Sequence, residues 1–224
     1  MSIVGTKVIR KEDPNLLTGR GQYVDDIQLA GMTHMAFVRS TEAHALIKGI
    51  DVSAALECEG VIGAWTAADL ELPPLPEVPG LERPTLATDK VRFVGEAVAV
   101  IVAESKYAAA DGTELVVVDY EPLEAVTNIE EATAEDAPLL FEELGSNTVA
   151  EVPSADDHQS VFDSAPHTEK IKLINNRCTA APIETSACLA DYGPAGLTIW
   201  ASFQAPHHLR NRISAWLGIP QDQC

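Results

Sequence analysis

Hydrophobic positions change period several times along this chain, and each change marks an element. Met32–Val38 and Ala45–Val52 mix apolar and polar positions as short strands do. Ser53 reads as the N-cap of a short helix over Ala54–Glu59, with Gly60 at its end and Val61–Ala64 following as a strand. Leu72–Pro84 holds Pro73, Pro74, Pro76, Pro79 and Pro84, which excludes a helix or a central strand and predicts a loop. Ala97–Ala103 is a continuous apolar run, the pattern of a strand buried on both faces. Ser105 is placed to cap a helix over Lys106–Glu114, and Val116–Tyr120 reads as the next strand. That strand–helix–strand order within about 25 residues predicts a right-handed crossover in a small sheet.

The flanking segments differ. Gly5–Ile27 is polar and rich in turn residues, so it reads as an extended arm with turns, ordered by packing against something else. Beyond Glu169, Lys170–Ile174, Ala187–Tyr192 and Leu197–Ala201 read as strands, the last two joined at Gly193-Pro194. Leu209, Ile213, Trp216 and Leu217 form one apolar stripe of a helix over His207–Leu217, closed by Gly218. The chain stops soon after, at Cys224, which reads as truncation of a longer element. The predicted division is an arm over 1–30, an α/β domain over 31–126, an acidic linker over 127–160 and the beginning of a second domain over 161–224.

Charge changes the picture most in the middle. The 224 residues carry 15 Lys+Arg against 34 Asp+Glu, a net charge of −19. Tyr107–Glu169 holds 16 of the acids and no Lys or Arg, hence the reading of a solvated linker. This balance excludes a nucleic-acid footprint, which takes clustered basic residues, and argues against anionic membrane surfaces. The longest apolar run is far short of the ~20 residues of a membrane span, and Met1–Pro14 lacks the apolar core of a secretory signal. Cys58, Cys178, Cys188 and Cys224 form no CxxC pair, which excludes a local zinc knuckle, a thioredoxin-type motif and the usual iron–sulfur ligand runs. Inert thiols in a reducing cytoplasm are the expectation. Walker A, G-x-G-x-x-G, G-x-S-x-G and H-E-x-x-H motifs are all missing. His207 and His208 are adjacent at a helix start and point to different faces, so they read as helix-end residues and not as metal ligands.

The order of short segments carries more. Arg10–Pro14, Leu17-Thr18-Gly19, Gly21, Tyr23 and Asp25-Asp26-Ile27 are followed by Phe37–Ser40, Ala43-His44-Ala45, Ile50-Asp51 and Ser53-Ala54-Ala55. Then come Val91–Glu96 with Val98-Ala99-Val100, Glu114-Leu115-Val116 and Val118–Leu123. Further on stand Arg177, Ala181–Glu184, Thr198-Ile199-Trp200, Ser202–Pro206 and Leu217–Pro220. This succession resembles the N-terminal portion of the large, molybdopterin-binding subunit of the molybdenum hydroxylases: xanthine dehydrogenases, aldehyde oxidases and aerobic carbon monoxide dehydrogenases. The resemblance implies an α+β/α/β architecture, an a/b hammerhead domain followed by the start of a molybdopterin-binding α+β domain. Two departures stand out. Ile183-Glu184-Thr185 replaces the family's Met-Glu-Pro, and Gly112 occupies a helix position usually held by Ala.

The resemblance also implies the chemistry. A molybdenum–molybdopterin cofactor oxidises an aldehyde, an N-heterocycle or carbon monoxide, and electrons pass to iron–sulfur clusters and FAD on partner subunits, commonly in a dimer of heterotrimers. By the same resemblance Gln204 is the one residue here that touches the metal centre, its amide donating to an oxygen ligand without titrating. A Gln at a strand end that bonds to backbone is the alternative. Glu184 is expected to be structural, paired with a backbone amide or an Arg, and Glu96 to contact a partner domain or solvent. No catalytic residue and no metal ligand is nominated, because the family's glycine-rich cofactor loop and general-base glutamate lie beyond this sequence. Two other readings stand beside the enzyme: a non-catalytic hammerhead interaction module, or an inactive truncated product.

Overall fold

Ala97–Ala103 is the middle strand of a three-stranded sheet in the computed structural model of the chain. The structure describes residues 4–5, 7–70, 75–78, 81–152 and 158–224, with the backbone alone for 75–78 and 81–83. In chain order the strands are β1 His34–Arg39, β2 Ala45–Asp51, β3 Val61–Thr66, β4 Leu75–Val78, β5 Leu81–Arg83, β6 Lys90–Val91, β7 Ala97–Ala103, β8 Val117–Pro122, β9 Cys188–Gly193 and β10 Gly196–Ala201. The helices are α1 Asp13–Leu17, α2 Ser53–Leu56, α3 Lys106–Glu114, α4 Ile129–Ala132, α5 Gln159–Ser164 and α6 Pro206–Leu217. The chain divides into two compact units, one made of Met1–Ala30 with Ile171–Cys224 and the other of Gly31–Lys170.

The Gly31–Lys170 unit contains two three-stranded sheets, ordered β1-β7-β3 and β6-β2-β8, with every pairing in them antiparallel. β7 is apolar throughout because it has a strand on either side and a core beneath. Val98, Ala99, Ile101 and Ala103 are all fully buried. Val38, Ala45, Ala55 and Val91 join Val98, Ala99 and Ile101 in one core, against which Ile47, Ile50, Val118 and Tyr120 pack from β2 and β8. α3 lies on β1 and β7. Ser105 caps it as the sequence predicts, its Oγ accepting from the Ala108 amide at 3.1 Å. Gly112 is buried in this helix at a close approach. A Cβ there would sit 2.9 Å from Ile101 Cγ2 and 3.0 Å from Val61 Cγ2, so the neighbours already fill the space an Ala would need.

Several expectations are corrected. β7 and β8 belong to different sheets, so α3 does not make a parallel crossover. Periodicity along a strand does not say which strand it pairs with. Ser53 is the first residue of α2 and not its cap. Val52 takes the cap position without a side-chain bond, and Ser53 donates both its hydroxyl (2.5 Å) and its amide (2.9 Å) back to the Asp51 carboxylate. Within the proline-rich stretch, β4 and β5 pair as an antiparallel two-stranded hairpin where a loop was expected. The remainder, 71–74 and 79–80, lies outside the described residues. Glu96 faces neither solvent nor a partner domain. It is buried, and its carboxylate accepts from the Arg92 amide at 2.5 Å to close the turn into β7.

In the other unit the arm is more regular than its composition predicts. Asp13–Leu17 forms a helical turn because Pro14 fixes the backbone at its start, and Arg10 Nε reaches Asp13 Oδ1 at 2.7 Å. β9 and β10 form a hairpin with Pro194 and Ala195 at the turn. Lys170–Ile174 is not a strand. Its Ile171 and Leu173 have the right alternation but stay exposed, and no described strand offers the backbone partners that a ladder requires.

Candidate functional site

The hairpin β9–β10 and helix α6 are joined by Ser202–Ala205, and the local sequence fixes both ends of that turn. The Ser202 side chain accepts from the Ala187 amide at 2.7 Å and donates to the Thr185 carbonyl at 3.0 Å. The Ser202 amide donates to the Ala187 carbonyl at 3.1 Å, and the Phe203 amide to Ala201 at 2.9 Å. On the other side Pro206 opens α6 and keeps Ala205 out of the helical region, at φ −129° and ψ 70°. The Leu209 amide then closes the first helical turn on the Ala205 carbonyl at 3.1 Å. Gly218 ends α6 in the left-handed region, and Ser214 Oγ donates to the Ile219 carbonyl at 2.6 Å just beyond.

Gln204 sits at the centre of this anchored turn. Its side chain is exposed, and its amide has no hydrogen-bond partner among the described residues. A neutral donor and acceptor is thus presented to solvent from a backbone held on both sides, which suits a contact to an oxygen-rich ligand. It is a single contact. Among the described residues no group of three or more His, Cys, Asp or Glu is arranged to hold a metal ion.

Glu184 Oε1 accepts from the Val24 amide at 3.3 Å, tying the arm to the segment before β9, as a structural Glu should. His207 and His208 are exposed in the first turn of α6. An open hollow of about 520 Å³ is lined by Leu16, Gly19, Gly21, Tyr23 and Asp26 of the arm and contains none of the expected site residues. The sequence did not single out Lys90, which is buried in β6 with its ammonium against the Glu142 carboxylate. Its only local signal is a Lys directly before a core Val in a strand.

Residues 18–124 match the family described as "Aldehyde oxidase and xanthine dehydrogenase, a/b hammerhead domain", and residues 140–224 match "Molybdopterin cofactor-binding domain". The chain is 39% identical to the nicotine 6-hydroxylase large subunit of Paenarthrobacter nicotinovorans, over 99% of this chain and 28% of that protein. It is 38% identical to the carbon monoxide dehydrogenase large chain of Afipia carboxidovorans, over 97% of this chain and 29% of that one. Quinoline 2-oxidoreductase of Pseudomonas putida 86 superposes with a TM-score of 0.88 at 37% identity, over 98% of this chain and 29% of that one. The chain belongs to the molybdenum hydroxylase large-subunit family of xanthine dehydrogenase, aldehyde oxidase and carbon monoxide dehydrogenase. It carries the hammerhead fold and the start of the molybdopterin-binding fold, and it spans less than a third of the length of these relatives. No helix among the described residues is long and apolar enough to cross a membrane.

Proposed function

We propose that this chain is the part of a molybdenum hydroxylase large subunit that brings Gln204 to the cofactor. The observation that carries the reading is the anchored turn between β10 and α6, with an exposed amide at its tip that takes no partner among the described residues. When bound, a molybdenum–molybdopterin cofactor supplies the two-electron redox chemistry that side chains lack. Gln204 donates a hydrogen bond to an oxygen of that group and, being neutral, keeps doing so at any pH the protein survives. Ser202 and Pro206 hold the backbone so that the amide needs little reordering on contact. Glu184 positions the arm through the Val24 amide and takes no part in the chemistry.

The substrate class is an aldehyde, an N-heterocycle or carbon monoxide. Relatives named for nicotine and for carbon monoxide support this range. Iron–sulfur and FAD subunits are the inferred electron acceptors, supported by relatives that are themselves named as the large subunit or chain. A reducing cytoplasm is the inferred setting, supported by four free cysteines. The 224 residues alone are inferred to turn nothing over, since one amide contact does not hold a pterin cofactor.

The test compares Gln204→Ala with wild type in the protein at the length of its relatives. Turnover per molybdenum and the denaturation midpoint are measured together. A charge-assisted or neutral bond made in the transition state is worth about 1–3 kcal/mol, so turnover is expected to fall about ten- to a hundredfold with the midpoint unchanged. Unchanged turnover with a lowered midpoint would remove Gln204 from the site.

A further inference from the structure

We propose that residues 138–147 form a strap latched onto β6 by Lys90 and Arg92, which fixes where the polypeptide leaves the two sheets. The start of the segment that matches the molybdopterin-domain family, at residue 140, falls inside this strap. The inference does not depend on the proposed activity.

The latch begins with a buried cation. Lys90 is 6% exposed, and the carboxylate paired with its ammonium belongs to Glu142, 52 residues further along. An ammonium taken out of water needs such a partner, so the core position of Lys90 is tied to the presence of the strap. Arg92 follows just past the end of β6. Arg92 Nε donates to the Leu140 carbonyl at 3.0 Å, and its guanidinium lies 4.6 Å from the centre of the Phe141 ring. Three consecutive residues, Leu140, Phe141 and Glu142, are therefore gripped by two cationic side chains through three different interactions.

The strap is also closed on itself. Asn147 Oδ1 accepts from the Leu140 amide at 3.1 Å, and Asn147 Nδ2 donates to the carbonyls of Ala132 and Pro138 at 3.0 Å each. One side chain thus satisfies two backbone groups of the strap and ties it to a third, the Ala132 carbonyl of α4. Glu142–Leu144 makes a single helical turn that Gly145 ends. A segment gripped at three successive residues and cross-tied at its end should open and close as one unit.

Amide hydrogen exchange on the full 224-residue chain tests this, with β7 as the internal reference. Phe141→Ala removes the ring from the strap and leaves the buried face of β6 intact. Lys90→Met removes the charge while keeping the length of the buried stem. Exchange over 138–147 is expected to rise about tenfold or more in both variants, with 97–103 unchanged. Phe141→Ala decides the matter even if Lys90→Met fails to fold. Wild-type exchange over 138–147 in that variant, or a joint rise over 138–147 and 97–103, would overturn the proposal.

Discussion

Gly112 shows how a single residue's cost is set by what lies opposite. In a helix interior Gly is about 1 kcal/mol less favourable than Ala. Here the space for a methyl group is taken by Ile101 Cγ2 and Val61 Cγ2, both on β-branched side chains rooted in strands, which have little rotamer freedom to yield. Overpacking of this kind typically costs about 1–3 kcal/mol. Gly112→Ala is therefore expected to lower stability by about 1 kcal/mol net, read from urea denaturation, and a gain in stability would contradict the packing. The same contrast of local pattern and distant partner decides which charged residues were legible. The motif order of the family suggests a structural role for Glu184, and its carboxylate accepts from the Val24 amide. Lys90 and Glu96 were not legible, because sequence-local alternation treats a charged residue as solvated. What buries Lys90 is a carboxylate 52 positions away, and what buries Glu96 is a backbone amide across a turn.

At the level of elements, the helix cap at Ser105, the fully buried strand β7 and the amphipathic helix α6 were all readable, since each is written in contiguous residues. Pairing partners were not. The expected crossover became two antiparallel sheets, and Lys170–Ile174 kept the pattern of a strand without a neighbour. The strap over 138–147 was read as part of a solvated acidic stretch, because its acids outnumber any local cation. Its latch has a pH signature. The hydrogen bond from Lys90 is the largest cause holding the Glu142 carboxyl below its ordinary value, with backbone bonding and the charges of Lys90 and Arg92 adding to it. A carboxylate whose folded value is depressed adds stability above its unfolded value and loses it as the pH falls through the folded one. The difference in urea midpoint between wild type and Glu142→Gln is therefore expected to be largest near neutral pH. It should narrow as the pH falls below the ordinary glutamate value of about 4.3 and close only below the lowered folded value, where the carboxyl is protonated in both states. A difference independent of pH would show that the carboxylate charge contributes nothing to the latch.

Across the whole molecule, charge and burial separate the two units. Residues 31–170 hold 27 of the 34 acids, and among the described residues all of the buried hydrophobic side chains but Leu197 lie there too. The hammerhead unit has a core of its own. The other unit presents Ile171, Leu173, Ile183 and Phe203 to solvent. Under the proposed function that unit supplies one contact to the cofactor, and the chain spans 28–29% of the relatives it matches. Molybdenum content tests this most directly, measured by elemental analysis on two purified proteins: the 224-residue chain, and the same chain extended to the length of its relatives. The account predicts close to one molybdenum per chain in the extended protein and essentially none in the 224 residues alone. Near-stoichiometric molybdenum in the short chain, or none in the extended one, would contradict it.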